Sequence, residues 1–160
     1  MTETMGARLR DGLRRLAKAV VVITCAHEGQ RYAMAATAVS EVSVDPPAML
    51  VCVNRSASLH APLAAGAGFC INILHSSQEA ISALCAGGAQ GEARFEGGDW
   101  AISDLGPPYL RDAQASFICR QVQAGGYGTH GIFVGAVEQV FTHGAVDPLV
   151  YVDGRYTTVS

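Results

Sequence analysis

Charge is scarce in this sequence. Only 16% of its 160 residues are Asp, Glu, Lys or Arg, against about a quarter in an ordinary soluble domain. The net charge is −3, and the main cationic cluster is Arg8, Arg10, Arg14, Arg15 and Lys18 near the N-terminus. Nucleic-acid binding needs a broad basic footprint, so that class is excluded. No apolar run reaches the roughly 20 residues of a membrane-spanning helix. The first twelve residues mix acids and bases and lack the apolar stretch of a signal peptide. The expectation is a cytoplasmic protein with no membrane partner. The five cysteines (Cys25, Cys52, Cys70, Cys85, Cys119) are an odd number without any C-x-x-C pair. Neither a zinc site nor a disulfide framework is indicated, and they read as small buried hydrophobes. His27, His60, His75, His130 and His143 show no metal-ligand spacing. Also absent are H-E-x-x-H, the phosphate-binding P-loop and the G-x-S-x-G nucleophile elbow. Metalloenzyme and hydrolase readings therefore lack support.

What is present is apolar, at 49% of the chain. The length fits one domain, residues 1–160, able to bury a core. Low charge with high apolar content suggests surface covered by a second copy, hence a homodimer. The alternative is a Gly- and Ala-rich chain with a small neutral surface. Met5, Leu9, Leu13, Leu16 and Val20 recur at helical spacing, with the cations opposite; this predicts an amphipathic helix ending near Lys18. Residues 20–24 read as a buried strand closed by a turn at 27–29. Residues 31–44 are strand-like and stop at Asp45-Pro46-Pro47. Strands are predicted at 49–54 and 69–74. A short helix capped by Ser56 or Ser58 runs to about Ala65, and another covers Gln78–Ala86. Residues 87–108 read as loop anchored by Phe95 and Trp100. Two long strands, 115–123 and 132–141, flank a glycine-rich connection, and a hairpin around Asp153-Gly154 closes the chain. Six or seven strands with short connections favour an antiparallel barrel.

Gly126-Tyr127-Gly128-Thr129-His130-Gly131 matches G-x-G-x-x-G. That fingerprint needs a following helix to receive pyrophosphate, and Ile132-Phe133-Val134-Gly135-Ala136-Val137 is strand-like. A glycine-rich hairpin is the better reading. Met34-Ala35-Ala36-Thr37-Ala38 is a run of small side chains in a strand. It lets a flat ligand approach the backbone, or it packs beneath a helix.

The ordered set of segments resembles the short flavin reductases that serve two-component monooxygenases. The set is Ala19-Val20-Val21-Val22-Ile23-Thr24 after the helix; Ala33 to Val39, ending in Val44-Asp45-Pro46-Pro47; Val51 to His60; Phe69-Cys70-Ile71-Asn72-Ile73-Leu74; and His130 to Val137, followed by Tyr151 and Gly154-Arg155-Tyr156. The resemblance implies a mainly β, antiparallel Greek-key split β-barrel with a few short helices. It implies a homodimer that moves hydride from NADH or NADPH to FMN or FAD. The reduced flavin would diffuse to a separate flavin-dependent monooxygenase. Ala35, Ala36, Thr37, Ala38 and Val39 would line the isoalloxazine. Asn54, Arg55, Ser56, Ser58 and His60 belong to the segment used around the ribityl chain and phosphate. Arg94 would pair with phosphate through its forked guanidinium, and Phe95 beside it would also contact the cofactor. His130 would act at the nicotinamide, and Arg155 and Tyr156 would close over the ligands.

The chain departs from the family pattern. Thr-Ala-Ser-Ser-Phe is common where Ala35-Ala36-Thr37-Ala38-Val39 stands, and Thr is common at Leu59. Three lost hydrogen bonds at about 1 kcal/mol each would weaken flavin binding roughly 100-fold. Flavin is therefore expected to behave as a substrate rather than a tightly held group. Two rival readings are a flavin-binding carrier or sensor without turnover, and a flavin-free dimeric scaffold.

Overall fold

The computed structural model describes residues 2–159. Twelve strands and three short α-helices follow one another. They are α1 (Met5–Leu13), β1 (Lys18–Ala19), β2 (Val21–His27), β3 (Gln30–Ala36), β4 (Val39–Val44), β5 (Pro47–Asn54), α2 (His60–Ala64), β6 (Phe69–Ile73), α3 (Glu79–Ala83), β7 (Trp100–Ile102), β8 (Pro108–Leu110), β9 (Ala115–Tyr127), β10 (His130–Thr142), β11 (Leu149–Val152) and β12 (Arg155–Thr158). A seven-stranded antiparallel sheet runs β3-β2-β6-β9-β10-β5-β4, and two small sheets, β1-β11-β12 and β7-β8, flank it. β3 and β4 lie at opposite edges of the large sheet, yet only Thr37 and Ala38 separate them in sequence. The three steps from Ala36 to Val39 span at most about 11 Å, so the sheet must curl until its edges approach. No ladder joins β3 to β4, and the barrel stays split along that seam.

The alternation of β2 explains the curl. Val21, Ile23 and Cys25 face an inner core with Val51, Val53, Phe69, Ile71, Cys119 and Phe133, plugged by Leu59 and Leu63 from the segment of α2. Val20, Val22 and Ala33 face an outer core with Leu74, Ile81, Cys85, Phe95, Leu110 and Leu149. A strand buried on both faces reads as a continuous apolar run, as Val20-Val21-Val22-Ile23 does.

Four expectations need correction. The helix ends at Leu13 rather than Lys18, because Lys18–Ala19 pairs with β11; Val20 is buried beside that ladder rather than on the helical stripe. The 31–44 stretch is two strands on opposite edges of the sheet. Residues 87–108 are more than a loop: they hold a 3₁₀ turn, Gly91–Phe95, and the β7-β8 hairpin. The glycine-rich connection is ladder almost to its tip, with His130 opposite Tyr127 and Gly131 opposite Gly126. No helix among the described residues is long and apolar enough to cross a membrane.

Candidate active site

β3 has a strand on one side only, so alternate N–H and C=O groups along it lack a ladder partner. Above this free edge runs a groove. One cavity of about 260 Å³ has Ala35, Ala36 and Thr37 on its floor and Ser82, Ala86 and Tyr156 around it. A second shares Ala35 and Ala86 with it and adds Ser56, Ser58, Cys85 and Arg94. Because the floor side chains are small, a flat ring can reach the backbone groups of β3. Tyr156 is fixed by its hydroxyl, 2.8 Å from Ser82 Oγ, and by an edge contact with Tyr151. Arg94 donates from Nε to Ala89 O at 2.9 Å and from Nη1 to Ala33 O at 2.7 Å. Its Nη2 and the Ser58 hydroxyl have no hydrogen-bond partner among the described residues, leaving both for an anion. Cys85 beside it is pushed up to about 11 by burial, with Arg94 pulling the other way. It is therefore a neutral thiol at pH 7.

The sequence-predicted residues divide. Ala35, Ala36, Thr37, Ser56, Ser58, Arg94 and Tyr156 meet at the groove. Asn54 shapes its rim: Asn54 Oδ1 accepts from Ser56 N and Ser56 Oγ, each at 2.9 Å, in a tight side-chain turn. His130 faces Asn54 across the β5-β10 ladder, and its Nδ1 lies 2.9 Å from Thr129 Oγ1. His60 packs edge-on against Phe133. A Cβ on Gly131 would lie 2.8 Å from His60 Nε2 and from the Phe133 ring, so a larger residue there would push on both rings. Ala38 and Val39 turn the corner and line a neighbouring cavity with Lys18 and Cys52, joined to the groove through Thr37.

Other residues are drawn elsewhere. Phe95 is 5% exposed, edge-on to Trp100 and beneath the Arg31 guanidinium, so its ring belongs to the outer core. Arg55 donates to Gly128 O and braces the β9-β10 hairpin tip. Arg155 is exposed on β12 and lines neither groove cavity. Leu59 is 1% exposed in the inner core. A threonine hydroxyl is therefore not missing from the groove at Leu59, and Ala38 lines only the neighbouring cavity, so the expected loss shrinks to the hydroxyl at Ala35. Ser82 and Ala86 were not legible in the sequence as groove residues; their i, i+4 spacing only placed them on one helical face.

A curled sheet split at one seam, with a small-residue floor on its free edge and an anion-ready arginine at one end, defines a class of protein that takes a flat, phosphate-bearing ligand. The Flavin reductase like domain matches residues 13–160, and the chain belongs to that family. Its relatives make the class specific. The FMN reductase (NADH) RutF of Methylorubrum populi is 40% identical over 150 residues, covering 94% of this chain and 74% of its own. The reductase component of the FADH2-dependent resorcinol hydroxylase of a Rhizobium species is 39% identical over 160 residues, covering 99% and 89%. The solved structure of BorF, the flavin reductase component of a bacterial two-component tryptophan halogenase, superposes with a TM-score of 0.87 at 31% identity. That match covers 96% of this chain and 98% of BorF.

Proposed function

We propose that this chain is an NAD(P)H:flavin oxidoreductase that reduces FMN or FAD along β3 and releases reduced flavin to a separate monooxygenase. The observation that carries the reading is the groove floor. Unpaired backbone groups behind methyl-sized side chains suit a planar ring with a polar edge, and Arg94 with Ser58 suits the phosphate end. The bound flavin supplies the hydride acceptor, and the nicotinamide supplies the hydride. The residues of the chain bind, orient and exclude water. Ala35, Ala36 and Thr37 set the depth of the ring, and Tyr156 walls one side. Thr129 orients the His130 ring and leaves Nε2 for the nicotinamide carboxamide. Hydride transfer needs no general base, and none is assigned.

With a hydroxyl absent at Ala35, flavin binds about fivefold more weakly than in a site that has it. It exchanges at each turnover. Ala35→Thr should tighten FMN about fivefold by fluorescence titration; an unchanged Kd would remove that position from the ring site.

The reading includes a homodimer. No residue of α1 is buried, and Met5 and Leu9 are 73% and 60% exposed on one stripe. Contiguous exposed apolar surface on a soluble chain marks an interface. Leu9→Glu should convert the dimer to monomer on sedimentation; two identical masses would refute the placement. The cytoplasm suits a protein with five unpaired thiols.

The deciding experiment is steady-state oxidation of NADH and NADPH with FMN, FAD or riboflavin added. Turnover that saturates with flavin is expected. Binding of flavin without turnover would favour the carrier reading instead.

A further inference from the structure

Hydride transfer at β3 makes no use of the cations of α1. A cavity of about 320 Å³ lies where the end of that helix meets the β11-β12 turn, lined by Arg10, Arg14, Lys18, Thr37, Tyr151 and Asp153 among others. Thr37 and Tyr151 also line the cavity over Ala35 and Ala36, so the two spaces adjoin. Three cations and one carboxylate face this cavity, in a chain whose net charge is −3. The carboxylate is engaged. Arg14 Nε donates to Asp153 Oδ1 at 3.0 Å, and Asp153 N donates to Arg14 O at 2.8 Å. This pair fixes the helix end against the turn. Arg10 and Lys18 have no carboxylate partner among the described residues, and Arg10 precedes the part of the chain that the family matches.

The groove thus has two cationic ends. Arg94 holds Ala33 O at one end, and Thr37 marks the other. Four residue steps separate Ala33 from Thr37, about 13 Å in extended chain. The phosphate of a flavin mononucleotide needs only one of these ends. A nicotinamide dinucleotide stacked on the flavin brings its own pyrophosphate, which must leave the stack at some edge. We infer that Arg10 and Lys18 bind the phosphates of the nicotinamide dinucleotide, with Arg14 as a positioning residue held by Asp153. The inference rests on the reductase reading above. Charge-assisted bonds to phosphate are strong even near the surface, and they weaken with salt.

The test is titration of NAD⁺, a non-reacting probe, into protein saturated with FMN. Arg10→Gln/Lys18→Gln should raise the NAD⁺ Kd about tenfold, and added salt should erase most of the difference. Arg8→Gln/Arg15→Gln removes the same charge from elsewhere on the helix and should change the Kd less than twofold. The KM for NADH should rise in parallel with kcat and the FMN Kd unchanged, and Arg10→Lys should restore most of the affinity. Equal effects from the two double variants would reduce the site to general attraction and overturn the inference. A weakened FAD Kd with unchanged NAD⁺ binding would assign the cavity to flavin and also overturn it. Failure of the reductase reading would be separate: the unaltered protein would then show no flavin-dependent NADH oxidation, whatever the titrations gave.

Discussion

The two cores are built by different rules. The inner core is sealed by the ladder of the curled sheet, and its buried members are all Val, Ile, Leu, Phe or Cys. The outer core is covered by short segments: α3, the Gly91–Phe95 turn, the β7-β8 hairpin and the chain before β11. Those covers carry backbone groups that no ladder pairs, and buried backbone groups need partners. Polar side chains therefore enter the outer side. Asn72, 0% exposed, donates from Nδ2 to Val22 O at 2.9 Å. Its Oδ1 accepts from Leu110 N and Ser116 Oγ, each at 2.9 Å. Thr24 Oγ1 donates to Pro108 O at 2.5 Å, and Gln78 Nε2 to Asp112 O at 3.2 Å. A core wrapped by a curled sheet can be wholly apolar, whereas a loop-covered one must be hydrogen-bonded into place. The groove opens where that cover ends, over β3.

The contrast predicts a graded series. Phe69→Ala should cost most, about 4 kcal/mol, because the ring is fully buried and the inner sheet cannot collapse around the void. Urea unfolding should show a lower midpoint at an unchanged slope. Asn72→Leu should cost about 3 kcal/mol, through the orphaned Leu110 N–H and the lost Ser116 hydroxyl partner rather than through volume. A loss under about 1 kcal/mol would break the distinction between the two sides. Tyr156→Phe removes only the bond to Ser82 and should cost about 1 kcal/mol, with a small rise in flavin Kd. The thiols sharpen the comparison with no loss of residues. Burial pushes Cys25 and Cys119 up to about 12, whereas Cys85 reaches only about 11. The unfolded chain loses these protons first, near the ordinary thiol value of about 8.5. Stability is then complete below about pH 8.5 and falls as pH rises towards 12. Half-exposed Cys52 should alkylate first at neutral pH, and buried Cys25, Cys85 and Cys119 should follow only as pH rises, read by mass spectrometry.

Legibility followed the range of the interaction. The β2 run, the strand at 69–74 and the apolar stripe of α1 were visible because each depends on neighbours in sequence. Arg94 and Tyr156 were placed at the groove only by resemblance. Phe95 and Leu59 were misjudged because their types fit a ligand wall or a substituted hydroxyl as well as a core. Only the fold decides which way a side chain faces. Asn72 gave no signal, since an asparagine between Ile71 and Ile73 looks like any polar interruption.

By itself the sequence determined the strand-rich class, the short helices, the lack of metal chemistry motifs and the run of small residues at 34–38. Local pattern and side-chain size are properties of the chain. Tertiary structure alone decided that the sheet stays split and which small residues face the groove. It also decided that the helix end meets a turn 139 residues away through Arg14 and Asp153. Those outcomes depend on how far seven strands twist before their edges approach, and that angle is not written in any one segment.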